Sequence, residues 1–81
     1  MITYLWHLER ATNEYRVQTD SKEIADKLKR RQGFRISAIA LNYPLWIFSC
    51  EFKRPDIARK TIKSITGKNG KIDSEGVLIY E

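Results

Sequence analysis

The sequence predicts an α+β fold, a two-layer sandwich in which one antiparallel sheet carries two helices on one face. Two kinds of pattern support this prediction. Several segments alternate polar and apolar residues, as strands do, and two segments repeat apolar residues at helical spacing before a glycine. With 81 residues, the chain has room for one small core. We therefore predict a single small α+β domain over residues 1–81.

Four of the predicted strands form two hairpins. Residues 2–9 and 15–19 are rich in β-branched and aromatic side chains, alternate with polar ones, and are joined by a polar segment. Residues 34–42 and 45–53 flank an Asn-Tyr-Pro sequence, which is typical of a tight turn. Residues 77–80 follow two glycine-containing turns, at 68–71 and 73–76, and form a last short strand.

The first predicted helix begins at Asp20, whose carboxylate can accept from a backbone amide of the first turn while Glu23 reaches back. It ends before Gly33, and its last turn is basic, which suits the helix dipole. Its apolar stripe consists of Ile24, Ala25 and Leu28.

The second predicted helix begins at Pro55, with Asp56 in its first turn, and ends at Gly67. Its apolar stripe consists of Ile57, Ala58, Thr61, Ile62 and Ile65. The predicted order is therefore ββαββαβ. Similar pentapeptides at 23–27 and 56–60 favour two ββα units, although any small amphipathic helix has this pattern. If residues 15–19 are not a strand, the order becomes βαββαβ, which resembles ferredoxin-like folds and implies no function.

Charge is distributed unevenly along the chain. Fifteen Lys and Arg residues against ten Asp and Glu give a net charge of +5. Residues 27–71 carry twelve basic and two acidic side chains, a net charge of +10, whereas residues 1–26 carry −2 and residues 72–81 carry −3. A middle segment this basic exceeds what solubility requires, and it predicts attraction to phosphate backbones. The alternatives are another anionic partner, or basic residues that only solvate the helix faces.

The function predicted from this segment is a small, basic, non-catalytic protein that binds DNA or RNA through backbone phosphates. Arginine would make bidentate phosphate contacts and lysine would act as a point charge. The candidate nucleic-acid-binding residues are Lys27, Lys29, Arg30, Arg31, Arg35, Lys53, Arg54, Arg59, Lys60 and Lys63.

Catalytic and metal chemistry are not indicated by the sequence. A single Cys and a single His cannot form an internal disulfide or a Cys/His zinc site, and no glycine-rich phosphate loop is present. A small hydrolase or nuclease would depend on Glu9, Glu51 or Asp56, whose spacing does not bring them together. We therefore predict no enzyme activity, catalytic residue, cofactor or metal, and we expect Cys50, in an apolar segment, to be an inert buried thiol.

An alternative function depends on the aromatic and apolar residues. Tyr4 and Trp6 share one strand face, and Trp46 and Phe48 share another, which is an arrangement also found in single-strand binders. Filling a thin core or a dimer interface explains these rings better. The alternative is a protein-interaction or inhibitor module, of the kind encoded by phages and mobile elements, that acts through its sheet or a homodimer interface.

The location predicted for the protein is the cytoplasm. The longest apolar run, residues 45–50, is too short to span a bilayer, and the N-terminal residues lack the basic region of a secretory signal. We therefore expect no contact with a membrane.

Overall fold

The structure is a computed structural model that describes residues 1–9 and 11–81. In this part of the chain the element order is ββαββαββ. The elements are β1 (Thr3–His7), β2 (Glu14–Thr19), α1 (Lys22–Arg30), β3 (Arg35–Ile39), β4 (Trp46–Glu51), α2 (Pro55–Thr66), β5 (Lys71–Ile72) and β6 (Leu78–Tyr80).

The described strands form one antiparallel sheet in the order β3-β4-β2-β1-β6-β5. Helix α1 packs on β2, α2 packs on β1 and β6, and the two helices pack on each other. Lys27 meets Ile65, and Arg31 shares a cleft with Thr61, so the helices run antiparallel. The predicted α+β fold, with its antiparallel sheet and two helices, is confirmed.

The predicted order of elements along the chain, ββαββαβ, is wrong by one strand. Residues 71–72 form β5, which pairs with β6, although Lys71 was assigned to a turn. Two residues give no alternation for a sequence pattern to reveal, so only the pairing defines this strand. The βαββαβ alternative is also wrong, because residues 14–19 form β2 between β1 and β4.

The start of α1 differs from the prediction in its capping residue. Ser21 is the N-cap, and its hydroxyl accepts from the Ile24 amide at 3.3 Å. Asp20 instead accepts from the Ile2 amide at 2.8 Å, which fixes the chain that leads into β1. Glu23 forms an ion pair with Lys27, one helical turn later. A serine next to an aspartate offers two equivalent capping patterns, and the position of β1 decides between them.

The core lies between the helices and one face of the sheet, here called the helix-side face. Ala25 and Leu28 of α1 are buried, as predicted, and so are Ala58, Ile62 and Ile65 of α2. Ile57, predicted in the same stripe, is partly exposed because it lies one residue outside the arc that faces the sheet. The sheet contributes Leu5, Tyr15, Val17, Phe48, Cys50 and Tyr80.

The opposite face of the sheet, here called the open face, is not covered by either helix. Register along the sheet places Tyr4 beside Gln18 and Ile79, and Trp6 beside Arg16. Among the residues that the structure describes, none on this face is buried. Phe48 lies in the core and Trp46 packs against it, as predicted, whereas Tyr4 and Trp6 stand on the open face and outside the core. The other place predicted for these rings, a dimer interface, stays a prediction.

A bulge in β3 changes which residues face the helices. Arg35 and Ile36 pair with Ser49 and Phe48, the register then shifts at Ser37, and Ile39 pairs with Trp46. The extra residue therefore places Ile36 and Ile39 on the same, helix-side face, although they are three residues apart. Every residue of β3 is exposed, since neither helix extends over this edge.

Candidate nucleic-acid interface

The fold concentrates positive charge in the helical layer. Residues 22–32 and 53–68, which contain the two helices and their ends, carry eleven Lys and Arg against three Asp and Glu, a net charge of +8. The remainder of the chain carries four against seven, a net charge of −3. Because both helices lie on the same side of the sheet, one side of the molecule is strongly positive and the other is not.

The first basic surface, here called the inter-helix groove, lies between the C-terminal half of α1 and α2. It has a volume of about 440 Å³ and is lined by Lys27, Arg30, Arg31, Ser64 and Ile65. Lys27 is held by its Nζ, which donates to the Ile65 carbonyl oxygen at 3.5 Å and lies 3.7 Å from the Glu23 carboxylate. Arg30 and Arg31 form no ion pair within residues 1–9 and 11–81, so their guanidinium groups are available to an external anion.

The second basic surface, here called the hairpin groove, lies on the other side of α2, against the β5–β6 hairpin. Its volume is about 280 Å³. Arg59, Lys60 and Lys63 line one wall, and Asn69 and Gly70 line the other. The spacing i, i+1, i+4 places these three cations on one side of the helix. No ion pair to an acidic side chain is formed by the three in the described part of the protein.

Tyr80 forms the floor of the hairpin groove and fixes its shape. The Tyr80 hydroxyl donates to the Arg59 carbonyl oxygen at 3.4 Å, and its ring contacts Gly70 closely enough that an added Cβ would lie 2.7 Å away. Burial raises the pKa of Tyr80 above its ordinary value, so the hydroxyl stays protonated at neutral pH. The groove therefore has a packed, partly apolar floor beside its cationic side chains.

The predicted site residues do not all lie in these two grooves. Lys29 lies 4.0 Å from Asp26, and Arg54 lies 3.3 Å from Asp56, so both are partly neutralised on the surface. Lys53 precedes α2 and is exposed. A hydrogen bond from Lys22 holds the pKa of Asp26 below its ordinary value, so this acid remains charged beside Lys29.

Arg35 lies on the other side of the molecule from the rest of the predicted set. It pairs with Ser49, which pairs with Arg16, and all three side chains belong to the open face. The sequence groups Arg35 with the basic end of α1 because only three residues separate it from Arg31. The intervening chain leaves the helical layer and enters the sheet, and strand alternation then turns Arg35 away.

The three acids considered for hydrolase chemistry occupy different surfaces. Glu51 faces the open side next to Glu14, Asp56 pairs with Arg54 in the helical layer, and Glu9 lies in the β1–β2 loop. Over residues 1–9 and 11–81 there is no group of three or more His, Cys, Asp and Glu side chains that could hold a metal ion.

His7 and Cys50 belong to the packing of the sheet. His7 stacks on Tyr15 with ring centroids 4.3 Å apart, and its Nε2 donates to the Thr12 carbonyl oxygen. The sequence gives His7 no evident partner, because the stacking depends on the pairing register of β1 and β2. Cys50 is buried, as predicted, and its Sγ donates to the Tyr15 carbonyl oxygen at 3.7 Å. Burial raises the pKa of its thiol to about 12.

The contribution of Asn69 and Gly70 to the hairpin groove is not evident in the sequence. Their Asn-Gly pair indicates a turn, which gives no sign that the turn packs beside α2. The feature of the groove that the sequence does show is the spacing of Arg59, Lys60 and Lys63, which predicts that one side of the helix is cationic.

In the part of the chain that the structure describes, no helix has the length and apolar character needed to cross a membrane. Comparisons of the chain with protein families, with curated proteins and with solved structures find no match.

Proposed function

We propose that this protein is a cytoplasmic, non-catalytic nucleic-acid-binding protein that contacts the phosphate backbone with its helical layer. The observation that supports the proposal is the pair of three-cation grooves on either side of α2, within a layer of net charge +8. Both grooves are open to solvent, and cations spaced along a surface match the repeated charges of a nucleic-acid backbone.

The proposed division of roles follows the geometry of the two grooves. Arg30, Arg31 and Arg59 supply planar donor groups suited to bidentate phosphate contacts, and Lys60 and Lys63 supply point charges. Lys27 is already hydrogen-bonded to α2, so it orients the inter-helix groove in addition to contributing charge. Contacts of this kind carry little sequence information, and we expect binding with weak sequence preference.

Fluorescence anisotropy of labelled duplex DNA and duplex RNA, titrated at two salt concentrations, tests this proposal. Six groove cations predict a fall in affinity of about 10³-fold between about 50 and 200 mM salt. Replacing two of them, as in Lys60→Gln with Lys63→Gln, should lower the slope of log affinity against log salt by about 2.

A matched control is Arg35→Gln, which removes one cation from the open face. It should change the affinity by less than about twofold, since the open face lies away from the backbone in this proposal. Absence of binding at the lower salt concentration would contradict the proposal. An Arg35→Gln variant that loses as much affinity as the Lys60/Lys63 pair would contradict the assignment to the helical layer.

A second candidate function, a protein-interaction or inhibitor module, is supported by a different surface. Residues 36–50 contain no charged side chain, and Ile36 and Ile39 in the β3 part of this segment are about half exposed. If this surface carries the function, Ile39→Lys abolishes it and the groove variants do not. The same anisotropy assay separates the two candidates, because an interaction module has no salt-dependent affinity for nucleic acid.

A further inference from the structure

β3 and the turn that follows it expose a cluster of apolar side chains. Ile36 is 45% exposed, Ile39 52%, Leu41 95% and Tyr43 63%. Single exposed apolar side chains are common on proteins, but neighbouring ones that form a patch mark interaction surfaces. The patch lies at one edge of the sheet, where neither helix covers the helix-side face.

The backbone of β3 is also unpaired on its outer side. β3 pairs only with β4 within the described residues, so its outward N–H and C=O groups face solvent. An exposed edge of this kind is a template for an additional strand, and proteins normally block it with charge, proline or a very short strand. The bulge at Ser37 limits the ladder to short stretches on either side, so apolar side chains must supply most of the stabilisation.

The absence of charge identifies the occupant that suits this surface. The chain has a net charge of +5, so two copies repel each other over most of their surface. Residues 36–50 are uncharged, and self-association meets the least repulsion there. An acidic partner would instead be drawn to the helical layer, where the charge is +8. β3 carries one cation, Arg35, at its first residue, and the rest of this edge is neutral and apolar, so it fits a second copy of the same chain.

We propose that β3 of one copy pairs antiparallel with β3 of a second copy, centred near Ser37, so that a homodimer with one continuous sheet forms. The two Arg35 side chains then lie about 13 Å apart along the strands, beyond the screening length at physiological salt. Ile36 and Ile39 of both copies form one apolar strip. This proposal does not depend on nucleic-acid binding.

Antiparallel pairing of two identical strands places the symmetry axis perpendicular to the sheet. Both helical layers therefore lie on the same side of the continuous sheet, and their positive surfaces are joined. A dimer interface of standard size buries about 800 Å² of each partner. That is about a seventh of the 5689 Å² surface of this chain. A five-residue edge strand interrupted by a bulge offers a smaller area, so a dimer that dissociates on dilution is the expected form.

The experiment measures molar mass by sedimentation equilibrium up to about 1 mM protein for the wild type, Ile39→Lys and the matched control Ile72→Lys. Ile72 is 67% exposed on the opposite edge of the sheet, so both substitutions add the same charge to an exposed edge strand. Ile39→Lys should raise the dimer Kd by about 100-fold or more, because it buries an unpaired charge, and Ile72→Lys should change it less than about twofold. Circular dichroism of each variant confirms that it is folded.

A second measurement tests the pairing itself. Ser37→Cys places a thiol at the symmetry axis, where antiparallel Cα atoms lie at disulfide distance, and it should cross-link under mild oxidation faster than Ser74→Cys in the β5–β6 turn. The native Cys50 is buried and does not compete. A monomeric wild type throughout, equal weakening by both lysine variants, or equal cross-linking of both cysteine variants would overturn the proposal.

Discussion

The two edges of the sheet are built in different ways. β5, at one edge, has two residues and includes Lys71, and the preceding turn packs on the Tyr80 ring. β3, at the other edge, has five residues and exposes Ile36 and Ile39. Short length and lysine are the usual protections against unwanted strand pairing. The β5 edge therefore has both protections, whereas β3 has a bulge and a single cation, Arg35, at its first residue.

The difference has a counterpart in the distribution of charge. The helical layer carries a net charge of +8, whereas residues 36–50, in β3, β4 and the turn between them, carry no charge and lie beside it. A surface that binds phosphates and a surface that binds a second copy need opposite properties, since charge favours the first and opposes the second. In the two proposals made above, the helices would supply the first surface, and the strand that they leave uncovered would supply the second.

The largest expected effect separates the covered strand from the uncovered one. Phe48 and Ile36 are partners in register on the helix-side face, but Phe48 is buried and Ile36 is partly exposed. Phe48→Ala should lower the free energy of unfolding by about 3–5 kcal/mol, and Ile36→Ala by less than about 1 kcal/mol. Urea unfolding at low protein concentration measures both. Equal losses would mean that β3 is covered in solution, even in the monomer.

The pH dependence of stability tests whether water is excluded from β4, the strand next to the exposed edge strand β3. The pKa of Cys50 is raised by burial from 9.0 to about 12, so only the unfolded chain ionises this thiol between these values. Stability is then independent of this group below pH 9 and falls above it, by up to about 1.4 kcal/mol for each pH unit.

Urea unfolding of the wild type and Cys50→Ala on either side of pH 9 measures this effect. The fall should be smaller in the variant. Tyr15 and Tyr80, whose pKa values are also raised by burial, act in the same direction in both proteins. If the wild type and Cys50→Ala lose the same stability above pH 9, water reaches β4 past the exposed strand β3.

A smaller effect is expected at the protected edge. Gly70 has no positive φ, so Ala would ordinarily stabilise the fold by about 0.4–1 kcal/mol. Its Cβ would instead lie 2.7 Å from the Tyr80 ring, and the crowding should cost about 1–3 kcal/mol. Thermal unfolding of Gly70→Ala, with Asn69→Ala as the neighbouring control, measures this. A stabilised Gly70→Ala would show that the turn does not pack on Tyr80.

The smallest effect concerns which protection matters at β5. Lys71→Val removes the charge and keeps the two-residue length. We expect no new self-association and a stability change within about 0.5 kcal/mol, because two residues offer too little ladder to hold a partner strand. Light scattering at rising concentration measures this. Association of the variant would show that charge, and not length, protects this edge.

The parts of the fold that depend on local periodicity could be predicted from the sequence. The helix that buries Ala25 and Leu28 is an example, because burial on one face imposes a repeat on the residues. The hairpin around residues 42–44 is indicated instead by its turn residues, Asn42 and Pro44. β5 could not be predicted, since two residues carry no repeat, and Ser21 was missed as the cap because Asp20 is taken by the Ile2 amide.

The candidate site shows the same limit. The cationic side of α2 follows from the spacing of Arg59, Lys60 and Lys63, which is local. The division of the basic residues into two grooves depends on where α1 and the β5–β6 hairpin pack, and Arg35 depends on the direction of a strand. Nearness along the chain is a poor guide to a shared surface wherever a helix gives way to a strand.

The extra residue in β3 also determines to which face of the sheet each later side chain of the strand points. If Ser37 were instead paired in a regular ladder, it would lie opposite Ile47 and each later residue would move on by one position, so Ile39 would point to the open face while Ile36 stayed on the helix side. One apolar strip would then become two isolated side chains on opposite faces, with the composition of the chain unchanged. Whether this edge presents one continuous apolar side is therefore decided by the register of one strand and not by the hydrophobicity of its residues.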